Sequence, residues 1–512
     1  MKRVLALMML LLFSLTLTGC SQWEEPQDNL YDTLAPYFGT SETEDPLPVL
    51  TSFALPYLDG ETADPITCSD GAQKTLGSLL YEGLFTLDPT FEPQPCLAER
   101  YSYDADSRTY TITLRQGVLF SDGTELTARD VVYSINRARN SARYGSRLAD
   151  VSAVEGSGHT VTLRLRRDNA AFAARLDIPV IKYNTGSVTY PVGTGPYYYT
   201  REGGTAWLAV SKNWWQQKAL PFQRIELVRC KDIDTMSYAF YSREIQLLMC
   251  DLTSTSTSNV YGSGTYTDAA TTTMQFIGIN TARDPLNDPA LRRALQLGID
   301  RQGCIDAFFL GHGLAAQWPL SPASTLYPTE LDVAYSPDNF DIAMSDAGYA
   351  QGESIQLTLL VNQENSFKVA AAQRIAEDLS GHDVHITLRQ LPWEQYLLAL
   401  QLGEYDLYYG ECRLTADWDL QSLVGSGGAL NYGGYASAET DELLAACLAA
   451  AGASRQDAML ALCRQLQQDA PLLPVCFKST SVLLPSGAVE AITPTAANPF
   501  YDLPEWKVDI AP

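Results

Sequence analysis

Residues 97–137 read LAERYSYDADSRTYTITLRQGVLFSDGTELTARDVVYSINR. Within them Tyr110, Ile112 and Leu114 alternate with Thr111, Thr113 and Arg115, the period-two pattern of a half-buried strand. Ser121, Asp122 and Gly123 then supply turn chemistry. Thr127, with Asp130 three residues later, makes a capping-box pattern, and Val131, Ile135 and Ala138 follow at helical spacing on one face. The unit is a strand, a tight turn and a capped helix.

Outward from this unit, strand-like runs and helix-like runs alternate. IELVRC (225–230), MQFIGIN (274–280), SIQLTLLV (354–361) and VHITLRQL (384–391) interleave with DPALRRALQLGI (288–299) and SFKVAAAQRIAEDL (366–379). That alternation predicts an α/β architecture of sheets covered by helices. A chain of 512 residues with 46% hydrophobic content buries large cores and divides into more than one domain. The formal net charge of −25 argues against nucleic acid and anionic membrane surfaces as partners.

At the N-terminus, basic Lys2 and Arg3 precede an apolar run from Val4 to Leu17, too short to span a bilayer as a mature helix and placed as an export signal. Leu17-Thr18-Gly19-Cys20 resembles a bacterial lipobox, which implies cleavage before Cys20 and lipidation of its thiol. The acidic, proline-containing stretch Ser21–Pro48 reads as a flexible tether. Of ten cysteines, nine remain after Cys20; none forms C-x-x-C, and Cys230 and Cys250, each ending an apolar run, are the candidate disulfide if those runs pair as neighbouring strands.

The 97–137 segment resembles the most recognisable stretch of the extracellular solute-binding proteins of the oligopeptide and dipeptide type, family 5, which serve ABC importers. The likeness continues through Pro191–Tyr197 (PVGTGPY), whose glycines are expected to supply positive φ. It continues through Asn213-Trp214-Trp215, through Asn287–Leu295 with Asp288 as helix N-cap and Pro289 at the first helical position, and through Gly298–Arg301. Pro392–Tyr396 and Gly403–Leu407 extend it into the last third.

The resemblance implies a two-lobed periplasmic-binding-protein-like α/β fold (type II, cluster C) with an extra subdomain in the first lobe. The expected division is a lipoprotein signal peptide at 1–19, lipidated Cys20 and tether at 20–48, lobe 1 at 49–279 with its extra subdomain at about 75–180, lobe 2 at 280–474, and a return to lobe 1 at 475–512. The resemblance further implies crossings between the lobes near Ile279–Thr281 and Leu472–Val475; hinges of a few element-terminal residues suit a protein that closes around ligand. The implied protein is a monomer without cofactor, lipid-anchored on the outer face of the cytoplasmic membrane. It captures a short peptide and delivers it to a membrane permease. The same family also binds oligosaccharides, nickel complexes and haem, and a surface lipoprotein with a sensing or interaction role is the remaining alternative.

The residues are poor in catalytic chemistry. Only His159, His312, His382 and His385 are present, without zincin spacing, and neither G-x-S-x-G nor a P-loop lysine motif occurs. No metal site is expected. A buried peptide ammonium needs a carboxylate partner. In peptide-binding relatives that acid follows the G-E-Y-D-L strand, here in Cys412–Leu420, which makes Asp419 the first choice and Asp417 the second, although the usual Asp-Pro pair is missing. Trp418, Trp393, Tyr396, Tyr432 and Tyr435 are candidates to stack on a ligand. Arg413 is a candidate to receive a ligand carboxylate or to pair with the nearby acids.

Overall fold

The 97–137 unit folds locally as its pattern dictates. Strand Thr109–Leu114 buries Tyr110, Ile112 and Leu114 and turns the intervening residues outward. It lies second in an antiparallel four-stranded sheet ordered Ala98–Asp104, Thr109–Leu114, Thr160–Leu165, Val151–Ser157, with Ile112 opposite Val161. The turn closes through Gly123 N to Phe120 O (2.9 Å), and Gly123 sits at φ +84°, where a side chain would be strained. Helix Ala128–Arg139 starts at Thr127, whose backbone N donates to the Asp130 carboxylate at 2.9 Å. Its buried face, Ala128, Val131, Ile135 and Ala138, closes the same core as Ile112, Leu114 and Val161. Each of the larger aliphatic side chains, Ile112, Leu114, Val131, Ile135 and Val161, contributes about 1.5–3 kcal/mol by leaving water.

The computed structural model describes residues 52–254, 264–349, 354–380 and 384–509. The expected signal peptide, Cys20 and the tether lie outside the described residues, as does His382. A second four-stranded sheet sets Ala54–Leu58 parallel to Arg224–Cys230, followed by Thr205–Val210 and Tyr197–Glu202. A third, mixed sheet is ordered Leu248–Cys250, Leu472–Pro485, Gly264–Ile279, Leu407–Arg413, Ile355–Asn362, Val384–Leu391, with Gly313–Ala315 pairing at the side of Leu472–Pro485. Helices Pro289–Leu297 and Ser366–Leu379 bury Leu291, Leu295, Ala372 and Ile375 against it. Asp288 caps the first of these, with Pro289 at its start.

The long strands Gly264–Ile279 and Leu472–Pro485 pass from one core group to another. Val482 and Leu484 pack with Leu55, Leu208 and Ile225 of the second sheet, whereas Ile277, Leu473 and Val475 pack with Leu359 and Leu407. Their pairing breaks register between Ala270 and Met274 and again between Gln275 and Phe276. A register break bends a strand pair and interrupts its ladder.

Two expectations need correction. Cys230 and Cys250 are free, like every other described cysteine, because Arg224–Cys230 lies in the second sheet and Leu248–Cys250 at the edge of the third; they are not neighbouring strands. Gly193 and Gly195 are not among the positive-φ glycines. They are glycines for space: a Cβ would stand 2.1 Å from Leu80 O at Gly193 and 2.4 Å from Leu79 O at Gly195, against the last turn of helix Gly71–Leu80.

Among the described residues no helix is long and apolar enough to cross a membrane.

Candidate ligand site

Strand Leu407–Arg413 is buried up to Gly410 and surfaces at Glu411 and Arg413, which share a face by the period of two. The chain then turns through Leu414–Leu420, with Trp418 held at φ +49°. A non-glycine residue adopts that conformation only where its surroundings enforce it. Here the Trp418 ring is wedged edge-on between Phe91 (5.2 Å) and Phe477 (6.0 Å) and is 2% exposed.

The wedge brings the carboxylates on either side of it to one guanidinium. Arg175 donates from Nε to Asp417 Oδ2 (2.6 Å) and from Nη2 to Asp419 Oδ2 (2.8 Å). Asn169 Nδ2 also donates to Asp417 Oδ2, at 2.7 Å, and Arg167 bridges Asp419 to Asp150. The side chains of Arg175, Asp417 and Asp419 are 4%, 0% and 9% exposed. Burial alone would raise the Asp419 carboxyl, but its bond to Arg167 and the charges of Arg175 and Arg167 hold it below the usual carboxylate range. Asp417 Oδ1 is buried without a hydrogen-bond partner among the described residues. A ligand reaches neither acid in this conformation without displacing arginine.

The junction ties two cores together. Arg175 ends the short helical turn Phe172–Arg175, whose Phe172 belongs to the core of the 97–137 unit, whereas Trp418 and Leu420 belong to the core under Leu407–Arg413. Ala170 N to Leu448 O (2.7 Å) and Thr325 Oγ1 to Glu92 Oε1 (2.9 Å) join the same two regions.

The aromatic candidates separate by exposure. Tyr396 is buried with its hydroxyl on Tyr409 O (2.9 Å). Tyr435 is buried with its hydroxyl engaged by Thr440 and Asp469. With Trp418 these are core residues, and their faces are covered. Trp393 is 50% exposed and stacks on Tyr396 with ring centres 5.8 Å apart; Tyr432 is half-buried, edge-on to Tyr408. Arg413 is exposed and makes no ion pair among the described residues, so it does not bond the acids that follow it.

Of the histidines, His312 Nδ1 meets Asp268 at 3.0 Å and Ser481 Oγ at 3.5 Å. A nucleophilic relay needs the acid and the hydroxyl on opposite ring nitrogens. Both lie on Nδ1 here, and Ser481 is fully buried with its hydroxyl donating to Asp268 at 2.6 Å. Among the described residues no group of three metal-ligating side chains gathers.

Sequence reading named the acids and missed the cations that hold them. The one signal was local: Arg164, Arg166, Arg167 and Arg175 crowd a short stretch of a chain with net charge −25.

Comparison with known proteins agrees with this architecture. Residues 92–426, more than half of the chain, match the family described as "Bacterial extracellular solute-binding proteins, family 5 Middle". The chain belongs to that family. The glutathione-binding protein GsiB of Salmonella typhi is 28% identical over 326 residues, 60% of this chain and 63% of that protein, so the match spans less than two thirds of the relative's length. A nickel ABC transporter structure from Bacillus halodurans superposes with a TM-score of 0.74 at 19% identity, covering 88% of this chain and 98% of that one. The oligopeptide-binding protein AppA of Bacillus subtilis, in complex with a nonapeptide, gives 0.58 at 19% identity, with 90% and 99% covered. Those two likenesses carry the fold.

Proposed function

We propose that this protein is the substrate-binding component of an ABC importer, anchored through lipidated Cys20, and that it captures a short peptide between two hinged lobes without chemical reaction. Family membership supports the class. The peptide cargo draws on the likeness to a glutathione-binding protein and to an oligopeptide-binding one. The observation that carries capture by closure is the pair of long strands Gly264–Ile279 and Leu472–Pro485, which run from one core group into the other and lose register where they change partners. We place the hinge at that break, around residues 270–276 and 474–479, inside the strands and not at their ends. Hinge closure commits a ligand because the closed form gains contacts that the open form lacks.

The test is native mass spectrometry of gently purified protein, followed by thermal unfolding with a peptide library. A co-purifying peptide, or a rise in the unfolding temperature with library members, is the expected result. Retention of a sugar or a metal chelate together with indifference to every peptide would remove the peptide reading and leave the family assignment intact.

A further inference from the structure

The core under Leu407–Arg413 contains one residue from a distant part of the chain. Among the described residues, every other buried member of that core lies at Met274 or beyond, and the exception is Phe91. Phe91 stands at the tip of a hairpin, Phe85–Leu87 paired with Pro93–Pro95, which Phe85 roots in the core of the 97–137 unit. The tip is built by its own bonds. Asp88 Oδ1 accepts from Thr90 N (2.8 Å) and Glu92 N (3.0 Å), and Phe91 N donates to Asp88 O (2.9 Å).

This tip holds Phe91 at φ +69°, a left-handed conformation uncommon for a bulky residue, and buries its ring edge-on to Trp418. Trp418 is itself at φ +49°. Two aromatic residues in left-handed conformations therefore meet, one from each side of the fold. Such conformations persist only where the surroundings over-determine them.

The aromatic contact lies beside the buried ion pairs. Arg175 and Asn169 reach across to Asp417, and Arg175 and Arg167 to Asp419. Glu92, next in the chain to Phe91, accepts from Thr325 Oγ1 at 2.9 Å, and Ala170 N donates to Leu448 O at 2.7 Å. Each of these contacts joins the region of the 97–137 unit to the region of the third sheet. Each is made only while the two regions are together. The strands Gly264–Ile279 and Leu472–Pro485 link the core groups through the chain itself; these contacts are a second, non-covalent link.

We propose that Phe91 with Trp418, and Arg167 and Arg175 with Asp417 and Asp419, form a clasp that holds the two lobes together without cargo, so that the protein rests closed and admits ligand only when the clasp opens. The inference rests on the hinged-closure reading above. A ligand drives closure through contacts that favour the closed form only when it is bound. Contacts supplied by the protein itself favour that form with or without ligand. An open form that is only fractionally populated lowers apparent affinity by that fraction.

The experiment compares small-angle X-ray scattering and amide hydrogen exchange of the full-length protein without ligand, as wild type, Phe91→Ala, Arg167→Gln and Arg175→Met, below the unfolding temperature of each. Phe91→Ala and Arg175→Met are each expected to enlarge the radius of gyration and to speed exchange of the Ala170 amide about tenfold or more, while strand Thr109–Leu114 exchanges as before. Arg167→Gln, whose side chain is partly exposed and leaves Arg175 in place, should act in the same direction by a smaller factor. An Ala170 amide that exchanges freely in wild type would overturn the clasp. So would variants that match wild type in scattering and exchange, or a rise shared equally by strand Thr109–Leu114, which marks general destabilisation. If wild type is expanded at rest and compacts when a peptide library is added, closure by capture stands without the clasp. If neither peptides nor substitutions change the scattering, hinged closure falls with it.

Discussion

Replacing Arg175 with methionine keeps much of the side-chain volume and removes the charge between Asp417 and Asp419. Two hydrogen bonds of 2.6 and 2.8 Å disappear, and a carboxylate with no solvent exposure is left with Asn169 as its one side-chain hydrogen-bond partner among the described residues. Removing one partner of a buried ion pair typically costs about 3–5 kcal/mol, because the desolvation of the other charge is no longer offset. Arg167 remains on Asp419, so the loss should sit near the lower end of that range.

The pH dependence carries a sign. Asp419 is held below its ordinary pKa, so its contribution is present above the unfolded value, near 4, and is lost as pH falls through the lower folded value. In the Arg175→Met variant Asp419 loses one of the cations that hold its carboxyl down, so the difference from wild type should be full at pH 7 and shrink as pH falls through the carboxylate range. Urea unfolding at pH 7 and pH 3.5 reads it, with m compared to show that the same surface is exposed. Adding Asp417→Asn to Arg175→Met should recover at least about 1 kcal/mol relative to the sum of the single changes. A loss under about 1 kcal/mol, or one independent of pH, would show that the junction is solvent-screened and would refute the reasoning.

Gly195→Ala, ordinarily stabilising through the unfolded chain where φ is negative, should destabilise by about 1–3 kcal/mol because the new Cβ meets Leu79 O at 2.4 Å; an increase in stability by thermal unfolding would contradict the packing. Ile112→Ala, at a fully buried position of the first core, should cost about 2–5 kcal/mol in the same measurement. Burial pushes the Cys230 thiol up to about 11 and the Cys250 thiol up to about 12, in each case with help from nearby carboxylates. Both should therefore resist Ellman's reagent at pH 8 in the folded protein and react after denaturation, and intact mass should show no loss of two hydrogens from the pair. A disulfide between them would contradict the free thiols of the structure.

What was legible in the sequence follows from the reach of the interactions involved. Tyr110, Ile112 and Leu114 declare a strand because the pleat sends alternate side chains to one face, and Thr127 with Asp130 declares a helix start because the bond closes within one turn. Asp288 with Pro289 works the same way, through a contact two residues long. Gly193 and Gly195 were visible as a special turn, but their cause was not: the constraint is the carbonyls of Leu79 and Leu80, more than a hundred residues away in the chain.

The candidate site divides on the same line. Sequence alone marked the loop Cys412–Leu420 and its acids. Only the tertiary structure decided what those acids do, because the partner of Asp417 is Arg175, 242 positions away, and the partner of Asp419 is Arg167, 252 positions away. It likewise decided that Trp418 is a wedge in the core and that Arg413 stands clear of its acidic neighbours. It set Cys230 and Cys250 in different sheets. Local spacing fixes which residues lie on one face; which charges meet across the fold depends on how separate sheets are brought together, and no short window of sequence holds that information.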